Sequence, residues 1–285
     1  MQCNLVPMSV PPVPPAPTRP PRANILGVGV SITDYTGATA CVLYAAQRKQ
    51  PLLLAASDVN AIMQARLDRR FAAVLNNFDL VTPDGQPVRW GMRWTGQASL
   101  KDRLYGPTLM LHVCEGAARH GLSVFLYGSR AETLDRLRGA LVRRLPGLDV
   151  RGVLPGRFRP LTADEQDADA ATIRASGADI LFVGMGCPRQ EWWMFHMRNR
   201  LSMPMLAVGA AFDIHAGMIK QAPPLLQKHG LEWLYRLSRE PRRLARRYLL
   251  VTPQYLPLIA SQALGLQKYP VVCDLGDAAN APCPG

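Results

Sequence analysis

The stretch Ile180-Leu181-Phe182-Val183-Gly184-Met185-Gly186-Cys187-Pro188-Arg189-Gln190-Glu191-Trp192 decides the fold class. A short apolar run enters a turn with two glycines, and a helix is expected to start near Gln190. A strand that is apolar throughout, rather than alternating, is one covered on both faces. Met205–Val208 repeats the pattern and runs into Gly209-Ala210-Ala211-Phe212-Asp213-Ile214-His215-Ala216-Gly217. Working outward, further strands are predicted at Ile25–Ile32, Leu52–Ala56, Leu80–Thr82, Ser123–Tyr127 and Asp149–Leu154. Helices are predicted between them at Gly37–Arg48, Asn60–Leu75, Thr108–Arg119, Ala131–Arg144, Ala163–Ser176 and Gln190–Arg200. This alternation implies an α/β fold, a mostly parallel sheet with helices on both faces. In such sheets ligands bind at the carboxyl ends of the strands.

The α/β domain is assigned to residues 23–218. Before it, residues 1–22 carry Pro-Pro-Val-Pro-Pro-Ala-Pro and Arg-Pro-Pro-Arg, which reads as an extended, disordered arm. After Gly217 the pattern is helical only, and residues 219–262 read as an appendage. Six arginines, Arg236, Arg239, Arg242, Arg243, Arg246 and Arg247, fall there within twelve residues, interleaved with Trp233, Leu234, Leu237, Leu244 and Tyr248. Apolar residues at helical spacing distinguish this from a basic tail. Pro241 sits where a new helix would start. Residues 263–285 are expected to be a loose tail.

The net charge of +12 favours an anionic partner: a membrane surface, a diphosphate or a nucleic acid. The six cysteines form no Cys-x-x-Cys pair, so neither zinc-type spacing nor a disulfide framework is expected, and a reduced cytoplasmic setting is the default. No apolar window reaches the ~18 residues of a membrane span.

Candidate site residues fall at strand ends. In Val81-Thr82-Pro83-Asp84-Gly85-Gln86-Pro87, Asp84 follows a short apolar strand and Gly85 lets a ligand approach the backbone. The plain alternative is a Pro-Asp-Gly turn. At the second turn, Gly186 and the helix start could hold a phosphate, and Gln190 offers both a donor and an acceptor. The alternative is that Gln190 and Glu191 simply suit a first helical turn. At the third, Gly209 leaves room and Asp213 could bind a hydroxyl or orient Arg103, while His215 reads best as a satisfied structural histidine. Gly128 marks a fourth turn that could touch a nucleotide. Gly27-Val28-Gly29 lacks the third glycine of a dinucleotide fingerprint. No Walker-type loop, Gly-x-Ser-x-Gly elbow or Asp-x-Asp metal pair is present.

Taken in order, Pro83-Asp84-Gly85, Asp102-Arg103-Leu104-Tyr105-Gly106, Gly184 through Glu191, Phe212-Asp213 with Ala216-Gly217, and Leu231-Glu232-Trp233-Leu234-Tyr235-Arg236 with Glu240-Pro241 resemble one family. It is the family of bacterial glycosyltransferases that includes the N-acetylmannosaminyltransferases of teichoic-acid and enterobacterial common antigen synthesis. The resemblance runs from about Asn24 to Tyr248. It implies a Rossmann-like domain with a C-terminal appendage that helps close the site. It also implies an inverting enzyme without metal or other cofactor, moving a sugar from a UDP-sugar to a polyprenyl-diphosphate-linked sugar acceptor at the inner face of the cytoplasmic membrane. Asp84 would be the general base, Arg103 and Gln190 would bind substrate, Asp213 would support the pocket, and Arg236, Arg243 and Arg246 would reach a diphosphate. Where the family carries Thr-x-Asn at a strand end, this sequence has Ala56, Ser57 and Asp58. Ser57 and Asp58 become candidate substrate contacts, and the donor sugar stays open between N-acetylmannosamine, glucose and others. The remaining arginines are assigned to an anionic membrane surface, and a homo-oligomer is compatible with this reading. The competing classes are a basic nucleic-acid-binding module, which has no recognised motif here, and a nucleotide-dependent oxidoreductase, which lacks its glycine fingerprint.

Overall fold

The computed structural model describes residues 18–101, 103–219, 232–239, 241–246, 249 and 251–276 of the chain; the side chains of Glu232, Trp233, Arg236, Arg242, Arg243 and Arg246 lie outside the described ones. It opens with β1 (Arg22–Ile25) and β2 (Val28–Ser31), antiparallel partners from Arg22↔Ser31 to Ile25↔Val28. The single strand expected over Ile25–Ile32 is therefore a hairpin. Leu26 and Gly27 both take positive φ, 50° and 90°, which gives the turn the twist that a two-residue hairpin loop favours.

Helices and strands then alternate as the apolar runs predict. They are α1 (Tyr35–Gln47), β3 (Leu52–Ser57), α2 (Val59–Leu67), α3 (Arg69–Asn76), β4 (Leu80–Pro83), α4 (Gln86–Trp94), α5 (Gly106–Arg119), β5 (Ser123–Tyr127), α6 (Ala131–Arg144) and β6 (Asp149–Leu154). α7 (Ala163–Ala175), β7 (Ile180–Val183), α8 (Arg189–Met197), β8 (Pro204–Ala207) and α9 (Ala211–His215) complete the α/β part. α10 (Glu232–Arg239), α11 (Pro241–Arg246) and α12 (Thr252–Ala263) follow.

The six strands from β3 to β8 form one parallel sheet in the order β4-β3-β8-β7-β5-β6. Side chains alternate between its faces. Leu53, Ala55, Phe125, Leu181, Val183 and Met205 enter one core with Phe71, Trp192 and Phe195. Leu54, Val124, Leu126, Ile180, Phe182 and Leu206 enter the other with Met110, Leu134 and Phe212. Both faces are buried, which is why these strands are continuously apolar in sequence.

The helix expected over Asn60–Leu75 is two. Asp68 is extended (φ −118°, ψ 106°), and its carboxylate accepts from Arg70 N at 2.9 Å and Phe71 N at 3.4 Å. A residue that caps a new helix cannot also continue the old one. Asp34 caps α1 and Asp58 caps α2 in the same manner, and Thr162 with Glu165 forms a capping box on α7.

The segment beyond α11 is fastened to the domain. Gly91 of α4 leaves room for α12: a Cβ there would lie 2.3 Å from Tyr255 Oη and 3.0 Å from Ile259. Residues 269–273, expected within a loose tail, supply carbonyls to asparagines of the domain: Asn24 Nδ2 donates to Tyr269 O at 2.7 Å, and Asn77 Nδ2 to Cys273 O at 2.9 Å. Asn76 is the junction. It accepts from Gly29 N and donates to Gly27 O and Val272 O, each at 2.9 Å, tying hairpin, helix and C-terminal segment together.

Asn76→Ala would leave the Gly29 amide and Gly27 carbonyl buried without partners. Each such loss costs about 1–3 kcal/mol, so the variant is expected to unfold at lower urea concentration by roughly 2–4 kcal/mol. An unchanged urea midpoint would show that Asn76 does not join these elements.

Candidate active site

The carboxyl ends of β3, β4, β7 and β8 and the turn after β5 open into one cleft of about 1010 Å³. Pockets for drug-sized ligands run about 300–1,000 Å³, so this one takes a large ligand or two side by side. Asp58, Asp84, Ser129, Gly186, Gln190, Gly209 and Asp213 stand in its wall. Leu244 of α11, 2% exposed, and Gln254 of α12 line it as well, so the C-terminal helices contribute to the same site.

Local structure explains how each group arrives. The Asp84 amide donates to Ser57 O at 2.9 Å, one step beyond the end of β4. The chain then turns at Gly85 (φ 95°), a conformation that a side chain resists, and enters α4. Asp84 is left at the cleft, where its Oδ2 accepts from Gly106 N at 3.4 Å, in the first turn of α5. The Pro-Asp-Gly element is thus a strand-to-helix bend, and the short α4 was hidden behind its turn-like composition.

Gln190 is 3% exposed and held at both ends of its amide. Its Oε1 accepts from Gly186 N at 3.1 Å, and its Nε2 donates to Glu191 Oε1 at 2.9 Å. These bonds fix the orientation of the amide. A Cβ on Gly209 would lie 3.6 Å from Gln190 Oε1, so the turns after β7 and β8 converge on this side chain. Glu191 lies beneath the cleft, 1% exposed, and its Oε2 is buried with no hydrogen-bond partner among the described residues. Burial pushes its carboxyl up to about 7, against the lowering effect of the Gln190 amide.

Other candidates are placed differently. Arg103 is outside the cleft wall, its guanidinium 4.5 Å from the centroid of the Tyr105 ring. Ser57 is fully buried, and Gly85 and Gly128 shape turns behind the lining rather than forming it. The side chains of Arg236, Arg243 and Arg246 lie outside the described residues. His215 bonds through Nε2 to Pro107 O at 2.8 Å, and burial lowers its pKa, as suits a structural histidine. Of the turn expected at Leu126-Tyr127-Gly128-Ser129, Ser129 is the residue that lines the cleft, and Phe158, which the sequence does not single out, lines it too, both at positive φ. Neither residue type advertises that conformation. Among the described residues, no group of three His, Cys, Asp or Glu side chains converges to hold a metal ion.

A family model described as "Glycosyl transferase WecG/TagA/CpsF family" matches residues 23–269 of this chain. A curated relative from Bacillus spizizenii strain W23, named N-acetylglucosaminyldiphosphoundecaprenol N-acetyl-beta-D-mannosaminyltransferase, is 30% identical over 201 residues, covering 69% of this chain and 74% of the relative.

Glu191 makes a stability prediction. Its folded pKa of about 7 exceeds the usual 4.5, so its contribution is complete below pH 4.5 and is lost as pH rises through 7. The change is on the order of 3 kcal/mol. Glu191→Gln should flatten that part of the urea-unfolding profile between about pH 5 and pH 8. An equal fall in wild type and variant would assign the pH dependence to other groups.

Proposed function

Since the chain belongs to the WecG/TagA/CpsF family of glycosyltransferases, we propose that it moves a sugar, with inversion, from a UDP-sugar to a polyprenyl-diphosphate-linked saccharide in bacterial cell-surface or exopolysaccharide synthesis. The observation that carries this reading is the meeting of Asp84, Gln190 and Asp213 with Leu244 of the appendage around one large cleft. The name of the Bacillus relative specifies an acceptor carried on diphosphoundecaprenol and an N-acetyl-β-D-mannosaminyl group transferred to it. An acceptor of that class joins a sugar, a diphosphate and a lipid, and the arginine-rich appendage beside the cleft suits the diphosphate.

In the proposed reaction the acceptor hydroxyl attacks the anomeric carbon in a single displacement. Asp84 takes the hydroxyl proton as the new bond forms, and the bond to UDP breaks with its electron pair leaving on the diphosphate. Base catalysis of this kind contributes about 10²–10⁴-fold. Gln190, fixed by Gly186 and Glu191, presents its amide to sugar or nucleotide hydroxyls. The leaving diphosphate gains charge, and Arg236, Arg243 and Arg246 are assigned to stabilise it in place of a metal. Among the described residues no helix is long and apolar enough to cross a membrane. Docking is proposed as peripheral, on the inner face of the cytoplasmic membrane, with each further arginine near anionic lipid adding about 1 kcal/mol.

Asp84→Asn is expected to lower transfer by at least ~10²-fold while UDP affinity stays near wild type; near-normal turnover would remove Asp84 as the base. The assay offers several UDP-sugars with a polyprenyl-diphosphate sugar and reads the product by mass spectrometry. Replacing Arg236, Arg243 and Arg246 together with alanine should lower kcat and raise KM for the UDP-sugar. If both constants are unchanged, these arginines do not serve the leaving diphosphate.

A further inference from the structure

Of the described non-glycine residues with positive φ, Ser129 (63°) and Phe158 (53°) both stand in the cleft wall. A bulky residue at positive φ is disfavoured and persists only where its surroundings determine it. For Phe158 they do so from both sides. Arg157 Nη1 donates to Asp169 Oδ1 at 2.7 Å and Oδ2 at 2.9 Å, and Asp169, 1% exposed, also accepts from Tyr127 Oη at 2.8 Å. Arg159 Nη1 donates to Glu165 Oε2 at 2.8 Å. Both neighbours of Phe158 are therefore fastened to α7. What this clamp holds is a ring that belongs to neither core and is 46% exposed. The Arg189 guanidinium, at the start of α8 and also in the cleft wall, lies 5.7 Å from the ring centroid.

The location narrows the ligand. β5 and β7 are neighbours in the sheet, but the chain after β5 crosses to β6 and the chain after β7 crosses to β8, in opposite directions. Doubly wound sheets bind nucleotides in the crevice at such a point. Ser129 follows β5, Phe158 follows β6 and Arg189 follows β7, so the three come from the loops around that crevice. A phenyl ring supplies a face for a planar ligand, and a guanidinium supplies donors only.

We propose that Phe158 and Arg189 seat the pyrimidine base of the donor, the ring stacking on the base and the guanidinium donating to its carbonyl oxygens. The inference rests on the UDP-sugar reading and adds a basis for choosing uracil. Cytosine replaces one carbonyl with an amino donor, which an arginine cannot satisfy.

The test is titration of the full chain with UDP and with CDP. Wild type is expected to prefer UDP. Phe158→Ala should weaken UDP binding about tenfold, within the range for loss of base stacking. Phe158→Gly should weaken it as much, although glycine relieves the backbone conformation, and Phe158→Trp should retain binding and change its fluorescence on adding UDP. Arg189→Gln should narrow the preference for UDP over CDP. Wild-type UDP affinity in Phe158→Ala, with the preference intact in Arg189→Gln, would overturn the proposal and leave the donor reading standing. Absence of UDP binding by the wild-type chain would overturn both.

Discussion

A parallel strand covered on both faces can offer a ligand only its end. The strands of this sheet other than the edge strand β6 are in that position, with one core on each side, and most of what bears on chemistry follows from it. Polar groups have no place along the strands without a buried partner, so they collect in the turns beyond the carboxyl ends. Asp58 and Asp84 directly follow β3 and β4, Gln190 and Asp213 lie in the helices that follow β7 and β8, and all four reach one cleft because the strands run in the same direction.

Within that cleft the polar groups are held by neighbours rather than left to rotate. The Gln190 amide is fixed between a backbone N–H and a buried carboxyl, and Phe158 lies between two ion-paired arginines. Sites that discriminate between ligands need side chains whose rotamers are settled before the ligand arrives. The cost is visible in Glu191, a carboxyl 1% exposed that burial pushes up to about 7.

The sheet was legible because two-sided burial writes itself as short apolar runs: Ile180–Val183 and Leu52–Ala56 needed nothing beyond composition and spacing. Asp84, Gln190 and Asp213 were legible as polar residues directly after such runs. What stayed hidden depends on partners far away in sequence or on backbone angles that residue type does not announce. The hairpin rests on positive φ at Leu26, and Phe158 owes its pose to carboxylates on α7. The anchoring of residues 269–273 depends on asparagines roughly two hundred positions earlier, at Asn76 and Asn77. Asp68 could have been read as a cap, since Ile62 and Phe71, nine residues apart, would fall on opposite faces of a single helix. The appendage arginines were conspicuous in sequence, and apart from Arg239, whose guanidinium lies 5.5 Å from the Tyr235 ring centroid, their side chains fall outside the described ones.

The docking of α12 against Gly91 changes what kind of object the appendage is. Ile219 N is bonded to Asp213 O at 3.1 Å, and Tyr255 and Ile259 are buried against α4. The chain between Ile219 and Tyr255 is thus held at both ends rather than at one. A tail explores a volume that grows with its length, whereas a segment held at both ends has its reach bounded from both sides. The C-terminal residues then act as a clasp, and a change far from the cleft, in Tyr255 or Asn76, would free one end of the segment that brings Leu244 into the cleft wall.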